Sequence, residues 1–420
     1  MNTLDSEHML NELEKYKNYT QTKSLEDADL ILVNTCSVRE KPVQKLFSEL
    51  GQFNAKKKKG AKIGVCGCTA SHLGNSIIER APYVDFVLGA RNISKIKDVV
   101  DIKGSVEIDI NYNDSTYEFA PNEKSIYKTQ ANISIGCDKK CSYCIVPSTR
   151  GEEISIPQEL LISQIRKDVE NGAIELMLLG QNVNAYGKRF SDKREKTSFT
   201  KLLQEISKID GLKRIRFTSP HPLHMDDEFI EEFASNPKIC KNIHMPLQSG
   251  SNEILKAMRR GYTKEWFLSR VEKLKKLVPE LRISTDIIVA FPKESEADFL
   301  DTLAVVEEVK FDQIFNFIYS PRPNTKALEL KEFEIPRETA VERLTRLIEL
   351  HKLHQSELMQ KNIGKEFDVL AENLSKNGEV FGYSDNNLQV FFKASEEALG
   401  KIQRVRVNSV SRTSMQGQKV

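Results

Sequence analysis

Three cysteines, with three and then two residues between them, constrain this chain more than any other stretch: Gly136-Cys137-Asp138-Lys139-Lys140-Cys141-Ser142-Tyr143-Cys144. Thiolates this close in sequence can converge on one metal centre. Three ligands leave a fourth position open, which suits a metal that binds and transforms something better than one that staples a fold. The run therefore predicts a reactive iron site. A zinc module would bring a second pair of cysteines or histidines, but His72 and His221, the nearest histidines, are remote in sequence. Disulfide bonding is disfavoured because the group is odd-numbered and the N-terminus lacks a charged-then-apolar leader. The seven cysteines accordingly predict a reducing compartment, the cytoplasm.

With Tyr143 before its last cysteine, the run resembles the cluster loop of radical S-adenosylmethionine (SAM) enzymes. The resemblance implies that Cys137, Cys141 and Cys144 hold a 4Fe–4S cluster and are the catalytic set. The open iron would chelate the methionine end of SAM, and one electron would cleave the sulfonium to a 5′-deoxyadenosyl radical. An electron donor such as flavodoxin or ferredoxin follows from that chemistry.

At 420 residues the chain is too long for one ordinary core and predicts two or three domains. Lys and Arg number 62 against 60 Asp and Glu, so no global polycation advertises a nucleic-acid partner. Local asymmetry carries that case: Lys401, Arg404, Arg406, Arg412 and Lys419 stand in a terminal stretch without an acidic residue. Such a patch suits phosphates, or the solvated face of a terminal strand. No apolar run reaches membrane-spanning length, so no membrane partner is expected.

In residues 1–107, Leu4, Met9, Leu10 and Leu13 fall at helical spacing. Strand-like runs follow at Leu30–Thr35, Ala61–Val65 and Val84–Leu88, with helical stretches at Pro42–Phe53 and Leu73–Arg80 between them. This alternation predicts a doubly wound parallel sheet, in which ligands gather at the carboxyl ends of strands. Cys36 and Cys68 both sit at such ends. The acidic, turn-rich Asp109–Glu123 reads as part of a linker over 108–128.

Asn34-Thr35-Cys36-Ser37-Val38-Arg39-Glu40 and Gly67-Cys68-Thr69-Ala70 resemble two of the three cysteine motifs of methylthiotransferases. In that family these motifs bind a second, auxiliary 4Fe–4S cluster, so the resemblance makes Cys36 and Cys68 metal ligands. The family's third motif, a Gly-Cys at the end of a first strand, precedes a Met-Asn like Met1-Asn2, and a misassigned start or a truncation is expected to account for its loss. If the start is genuine, the auxiliary cluster is defective. Cys66 reads as a packed strand residue rather than a substitute ligand.

Residues 129–356 hold six strand-helix units. The strands run Ala131–Ile135, Ile174–Leu179, Leu212–Thr218, Asn242–Pro246, Arg282–Val289 and Gln313–Tyr319, and the last helix is Pro336–Gln360. A partial (β/α)6 barrel follows, with chemistry at the carboxyl ends. Polar residues recur there: Gln181, Asn182, Ser219, Ser249 and Asp286 are the candidates for binding SAM. Turn chemistry and capping explain any one of them equally well; recurrence over four strands favours a site. His221 and His244 are read as hydrogen-bonded loop and strand residues, and Cys240 as an uninvolved thiol.

Thr149-Arg150-Gly151-Glu152-Glu153 is similar to the segment following the cluster loop in the tRNA branch of the methylthiotransferases. One departure stands out. Where the family usually has Gly-Phe-Pro-Gly-Glu, this chain has Ala290-Phe291-Pro292-Lys293-Glu294, and no cofactor contacts are carried over to those positions.

Residues 357–420 change to short alternating runs, Phe367–Ala371, Val380–Gly382, Leu388–Phe392 and Ile402–Val410, which predict a small antiparallel barrel. It resembles the TRAM domain, an RNA-binding module. Phosphate contacts from its basic strand are expected to hold tRNA, and Phe381, Tyr383, Phe391 and Phe392 are candidates to stack bases, with at least half of them filling the barrel. The whole resemblance implies methylthiolation at C2 of an N6-isopentenyladenosine next to the anticodon. The alternatives are another target, threonylcarbamoyladenosine in tRNA or a ribosomal protein, and a non-catalytic iron–sulfur RNA-binding protein.

Overall fold

The computed structural model describes residues 1–36, 40–111 and 127–420, without the side chains of 40–42. Ser37–Arg39 of the first cysteine motif and most of the expected linker lie outside the described residues. The chain opens on a helix, α1 (Asn2–Lys17), that buries Leu4, Met9 and Leu13. Four parallel strands follow in the order β1 (Leu30–Thr35), β2 (Lys62–Gly67), β3 (Phe86–Gly89) and β4 (Ser105–Glu107). Only β4 has no counterpart in the sequence reading, being a short edge strand with no alternating pattern.

Both faces of this sheet are covered, as a parallel sheet requires. One face packs Ile31, Val33, Ile63 and Val65 under α2 (Glu40–Lys56), α3 (Cys68–Leu73) and α4 (Ser76–Arg80). The other packs Cys66, Phe86 and Leu88 under α1 and α5 (Ile96–Val99).

The central unit holds the largest core. Its parallel strands are β5 (Lys128–Asn132), β8 (Glu175–Leu179) and β9 (Arg214–Phe217), then β10 (Asn242–His244), β11 (Arg282–Val289) and β12 (Gln313–Ile318). A single parallel bridge, Ile215 to Ile239, joins the two triplets. Along β11 the pattern alternates: Ile283, Thr285, Ile287 and Val289 are buried, while Ser284 and Asp286 face the lumen. The first predicted strand is broken: after β5 the chain kinks into β6 (Ser134–Ile135), which pairs antiparallel with β7 (Ile154–Ser155). That hairpin carries the cysteine loop between its arms, followed by α6 (Val146–Arg150).

The outer helices are α7 (Gln158–Glu170), α8 (Phe199–Ser207), α9 (Asp227–Ser235), α10 (Asn252–Ala257), α11 (Lys264–Leu277), α12 (Glu296–Val309) and α13 (Arg337–Gln360). Their starts are written locally. Ser198, Asp226, Ser251, Thr263 and Ser295 each accept a backbone N–H in the first turn, which satisfies donors a helix leaves orphaned.

The C-terminal unit is a closed barrel of β13 (Glu366–Leu374), β14 (Val380–Ser384), β15 (Gln389–Phe392), β17 (Ser414–Lys419) and β16 (Ile402–Val410). β17 was missed because Ser414–Lys419 is nearly all polar and buries only Met415. One expectation for this barrel is corrected. Of the four aromatics only Phe392 points into the core; Phe381, Tyr383 and Phe391 are half-buried on the outside, the two phenyl rings stacked at 5.1 Å. The basic strand is also partly engaged, since Arg404 and Arg406 both reach Glu366.

This barrel docks on the amino ends of the central strands. Arg214 donates to the carbonyls of Tyr383 and Asp368, and Arg216 to those of Ser384 and Asp385. Glu175 stands between the two arginines. Burial acts to raise its carboxyl, but the charges of Arg216 and Lys128 outweigh that and hold it below its ordinary value.

Candidate functional site

The cysteine loop leaves β6 through Gly136, whose φ of 81° only glycine adopts readily. A Cβ there would lie 2.1 Å from the Glu152 carbonyl oxygen, so the hairpin closes only over a glycine. Ser142 anchors the middle of the loop, donating its N–H to Met258 O at 3.0 Å and its hydroxyl to Ala257 O at 2.8 Å. Cys137, Cys141 and Cys144 are all half-buried free thiols.

Burial pushes the Cys137 thiol up to about 11 and the Cys144 thiol up to about 12. Metal-free, these two hold their protons, and loading must release them. Among the described residues no three His, Cys, Asp or Glu side chains converge on a single ion. A 4Fe–4S cluster makes a different demand, with each thiolate on its own iron, and three accessible sulfurs on one loop beside a buried cation fit it.

That cation is Arg260, which the sequence reading passed over. It is 5 % exposed and donates to the Cys141 sulfur at 3.3 Å, the Pro246 carbonyl at 2.9 Å and the Tyr262 hydroxyl at 3.0 Å. Burial, with the nearby charge of Arg260 second, drives His221 far below its usual range, so the ring is neutral. His224 is pushed down to about 4 by burial and then by Lys139.

Around the loop, strand ends leave buried polar atoms without a protein partner: Ser134 Oγ after β5, Asn182 Oδ1 after β8, His221 Nε2 after β9 and the Tyr319 hydroxyl after β12. Buried polar groups are normally paired, so these are places for a polar ligand. Of the five SAM candidates, Asn182 belongs to this set and Asp286 faces the lumen, 3.3 Å from His244 Nε2. Ser219 sits at a turn with φ 58°. Gln181 is turned toward the N-terminal unit, its Nε2 2.8 Å from the Met1 sulfur. Ser249 is a correction: it is fully buried, 3.4 Å from the Thr302 hydroxyl, and accepts from Ser251 N. Its hydroxyl is taken up in the turn ahead of α10, whose cap is Ser251, rather than in a pocket wall.

The second cysteine group lies on the N-terminal sheet. Thr35 and Gly67 are register partners on β1 and β2, so Cys36 and Cys68, one residue further on, leave neighbouring strands side by side. Cys66 is fully buried on the opposite, α1 side with Met9, Leu13 and Phe86, and that burial pushes its thiol up to about 12. It is a core residue. Beside Cys68, the side-chain oxygens of Asn34, Thr35 and Thr69 are buried without a partner.

The two groups meet through Arg150. From the end of α6 its Nε donates to the Cys68 sulfur at 3.2 Å, while Nη2 pairs with Asp5 at 2.7 Å and reaches Asn2 Oδ1 at 3.0 Å. Helices α3 and α6 pack together, and Arg91 donates to the carbonyls of Arg150 and Glu152. A groove of about 1170 Å³ runs beside this region, between α1 and β1, lined by Ser6, Leu10, Tyr19 and Ile31 among others. It lies away from the cysteine loop of the central unit.

The segment 290–294 keeps the glycine-type backbone without the glycines. Ala290 has φ 57° and Lys293 φ 74°. Glu294 holds the turn by accepting from Ala290 N at 2.7 Å and from Arg343 Nη1 at 2.8 Å.

Comparison with known proteins covers almost the whole chain. Residues 131–306 match the Radical SAM superfamily, residues 1–89 the Uncharacterized protein family UPF0004, and residues 360–420 the TRAM domain. The chain is 68% identical to tRNA-2-methylthio-N(6)-dimethylallyladenosine synthase of Aliarcobacter butzleri, over 100% of this chain and 96% of the relative. It is 59% identical to the synthase of the same name from a Nitratiruptor species, over 100% and 97%. Among solved structures, the radical SAM methyltransferase TsrM from Kitasatospora setae matches with a TM-score of 0.51 at 12% identity, over 77% of this chain and 67% of that one. The cobalamin-dependent radical enzyme OxsB matches with a TM-score of 0.51 at 12% identity, over 96% and 62%. These two likenesses concern the fold alone.

Proposed function

The chain belongs to the tRNA-2-methylthio-N(6)-dimethylallyladenosine synthase family of the radical SAM superfamily, and from that premise we propose that it adds a methylthio group to C2 of N6-isopentenyladenosine next to the anticodon of tRNA. An aromatic C–H on adenine is far too weak an acid for side-chain bases, so this exchange of hydrogen for sulfur needs a radical carrier. A cluster at Cys137, Cys141 and Cys144, when bound, supplies the electron that splits SAM into that radical. A second cluster, at Cys36 and Cys68 with a further ligand, serves as the sulfur source in this reading.

The observation that carries the proposal is the Arg150 contact with Cys68, made from a helix that starts two residues after Cys144. A sulfur donor and a radical source must reach the same carbon, and this contact opens both cysteine groups onto one interface. The chain's own residues then orient and exclude. Asn182, Ser134 and His221 offer hydrogen-bonding atoms to the cofactor, and neutral His221 adds no charge to the pocket. A target base in a loop can be splayed into such a pocket without melting a duplex.

In this reading the N-terminal unit is 1–107, the linker 108–128, the radical unit 129–356 and the RNA-binding barrel 357–420. An electron donor of the flavodoxin or ferredoxin type serves the cluster. No helix of the described residues is long and apolar enough to cross a membrane; in this reading it is the tRNA substrate that puts the protein in the cytoplasm. Mass spectrometry of tRNA nucleosides tests the function. Deletion of the gene is expected to remove 2-methylthio-N6-isopentenyladenosine and accumulate the unmodified prenylated nucleoside; an unchanged nucleoside profile defeats the reading.

A further inference from the structure

Arg260 is a buried charge with no acid beside it. Four other buried arginines each have a carboxylate: Arg150 has Asp5 at 2.7 Å, Arg214 and Arg216 share Glu175 at 3.5 and 3.1 Å, and Arg343 has Glu294 at 2.8 Å. Among the described residues the groups facing Arg260 are the Cys141 sulfur, the Tyr143 and Tyr262 hydroxyls and the Pro246 carbonyl. A buried cation without an anion is strongly destabilising. Hydrogen bonds from two phenols and a carbonyl orient the guanidinium but do not neutralise it.

The anion that answers this charge is the centre the cysteine loop would hold. Three thiolates outweigh the charge of an oxidised 4Fe–4S core, so the assembled centre is anionic and becomes more so on accepting one electron. A nearby fixed cation favours the more negative state, and an N–H bond to a ligand sulfur acts in the same direction; both raise a cluster's reduction potential. Arg260 supplies both from one side chain. Its position is held from two elements, since Tyr262 donates to the carbonyls of Pro246 and Leu247 and Ser142 of the loop is tied to Ala257 and Met258 just ahead of it.

We propose that Arg260 is the built-in counter-ion of the cluster at Cys137, Cys141 and Cys144, a positioning residue that makes this cluster easier to reduce. The proposal rests on the reading that the trio holds the cluster. The electron comes from a low-potential one-electron reductant, for which dithionite is the laboratory probe.

The test is a redox titration of the reconstituted full-length chain, followed by the paramagnetic signal of the reduced cluster, with iron counted on the same samples. Arg260→Gln is expected to lower the reduced-to-oxidised ratio at a fixed potential about tenfold, ~59 mV for a one-electron couple. Arg260→Lys keeps the charge, loses the fork and falls by less. Full iron with the parent's ratio in Arg260→Gln overturns the proposal, as does equal loss of iron in the Gln and Lys variants, which marks a steric role. Should Arg260→Gln not fold, Tyr262→Phe takes its place: it loosens the guanidinium and is expected to lower the ratio two- to threefold, and an unchanged ratio in both Tyr262→Phe and Arg260→Lys overturns the proposal. Alanine at all three cysteines separates the two ideas. If that variant keeps the parent's full iron content, the trio does not hold the cluster, and the proposal falls with that reading.

Discussion

Arg150 and Arg260 each aim an N–H at a cysteine sulfur from nearly the same distance, 3.2 Å to Cys68 and 3.3 Å to Cys141, and both are buried. Their surroundings differ. Arg150 leaves the central unit to meet Asp5 of α1, so its charge is already matched and its guanidinium ties two units together. Arg260 stays within the central unit among phenols and a carbonyl. The same donor geometry therefore serves two purposes, a clamp in one place and an uncompensated field in the other, and the presence or absence of one carboxylate decides which.

The largest effect that tests this contrast is loss of the trio itself. Alanine at Cys137, Cys141 and Cys144 is expected to bring 5′-deoxyadenosine formation from SAM and dithionite down to the background of the reagents. Material that retains the parent's turnover refutes the assignment of the radical site.

Next comes the clamp. Arg150→Ala removes the buried ion pair with Asp5, and breaking such a pair costs about 3–5 kcal/mol. A lower unfolding midpoint and faster protease cleavage between the N-terminal and central units are the expected results. Asp5→Asn sharpens the comparison, because it leaves Arg150 as unmatched as Arg260 is now. If it destabilises the chain as much as Arg150→Ala does, the pair and not the sulfur contact holds the interface.

Smaller effects sit on the 290–294 turn, which leads from β11 into α12. A left-handed residue with a Cβ costs roughly 1–2 kcal/mol relative to glycine, so Ala290→Gly is expected to stabilise by about 1 kcal/mol in a thermal melt. Lys293→Gly gains less, because it gives up the contact of the Lys293 ammonium with the Phe333 ring at 4.1 Å.

A pH dependence sits on the same turn. Burial pushes the Glu294 carboxyl up to about 7 against the pull of its bond from Ala290 N and of Arg343. The folded state thus holds this proton more tightly than the unfolded chain does. The associated stability is fully present below the ordinary value of 4.5 and is lost as pH rises through about 7. Glu294→Gln is expected to flatten the melting temperature across that window, and an unaltered slope argues that another group titrates there.

Much of this was legible in residue order. The strands Leu30–Thr35 and Arg282–Val289 appear at their predicted bounds, because apolar runs and alternation are local signals. Ser414–Lys419 carried no such signal and was missed. Arg404 and Arg406 are read from the sequence as phosphate contacts, and Glu366 lies beside them on the paired strand β13. These exposed pairs are weak and exchangeable, but linear charge counting does not reveal them. The Gly-to-Ala and Gly-to-Lys departures were visible, and the structure added that the backbone kept its left-handed turns regardless.

The sequence by itself determined the spacing of the cysteines, the alternation of strand and helix and the change to short strands near the end, all of them properties of neighbours along the chain. Only the tertiary structure decided that Arg150 answers Cys68, 82 positions away, and that Arg260 answers Cys141, 119 positions away. The physical reason is that burial sets whether a charge needs a partner, and burial belongs to packed units. Neither arginine is marked in the sequence as paired or unpaired until the sheets close around it.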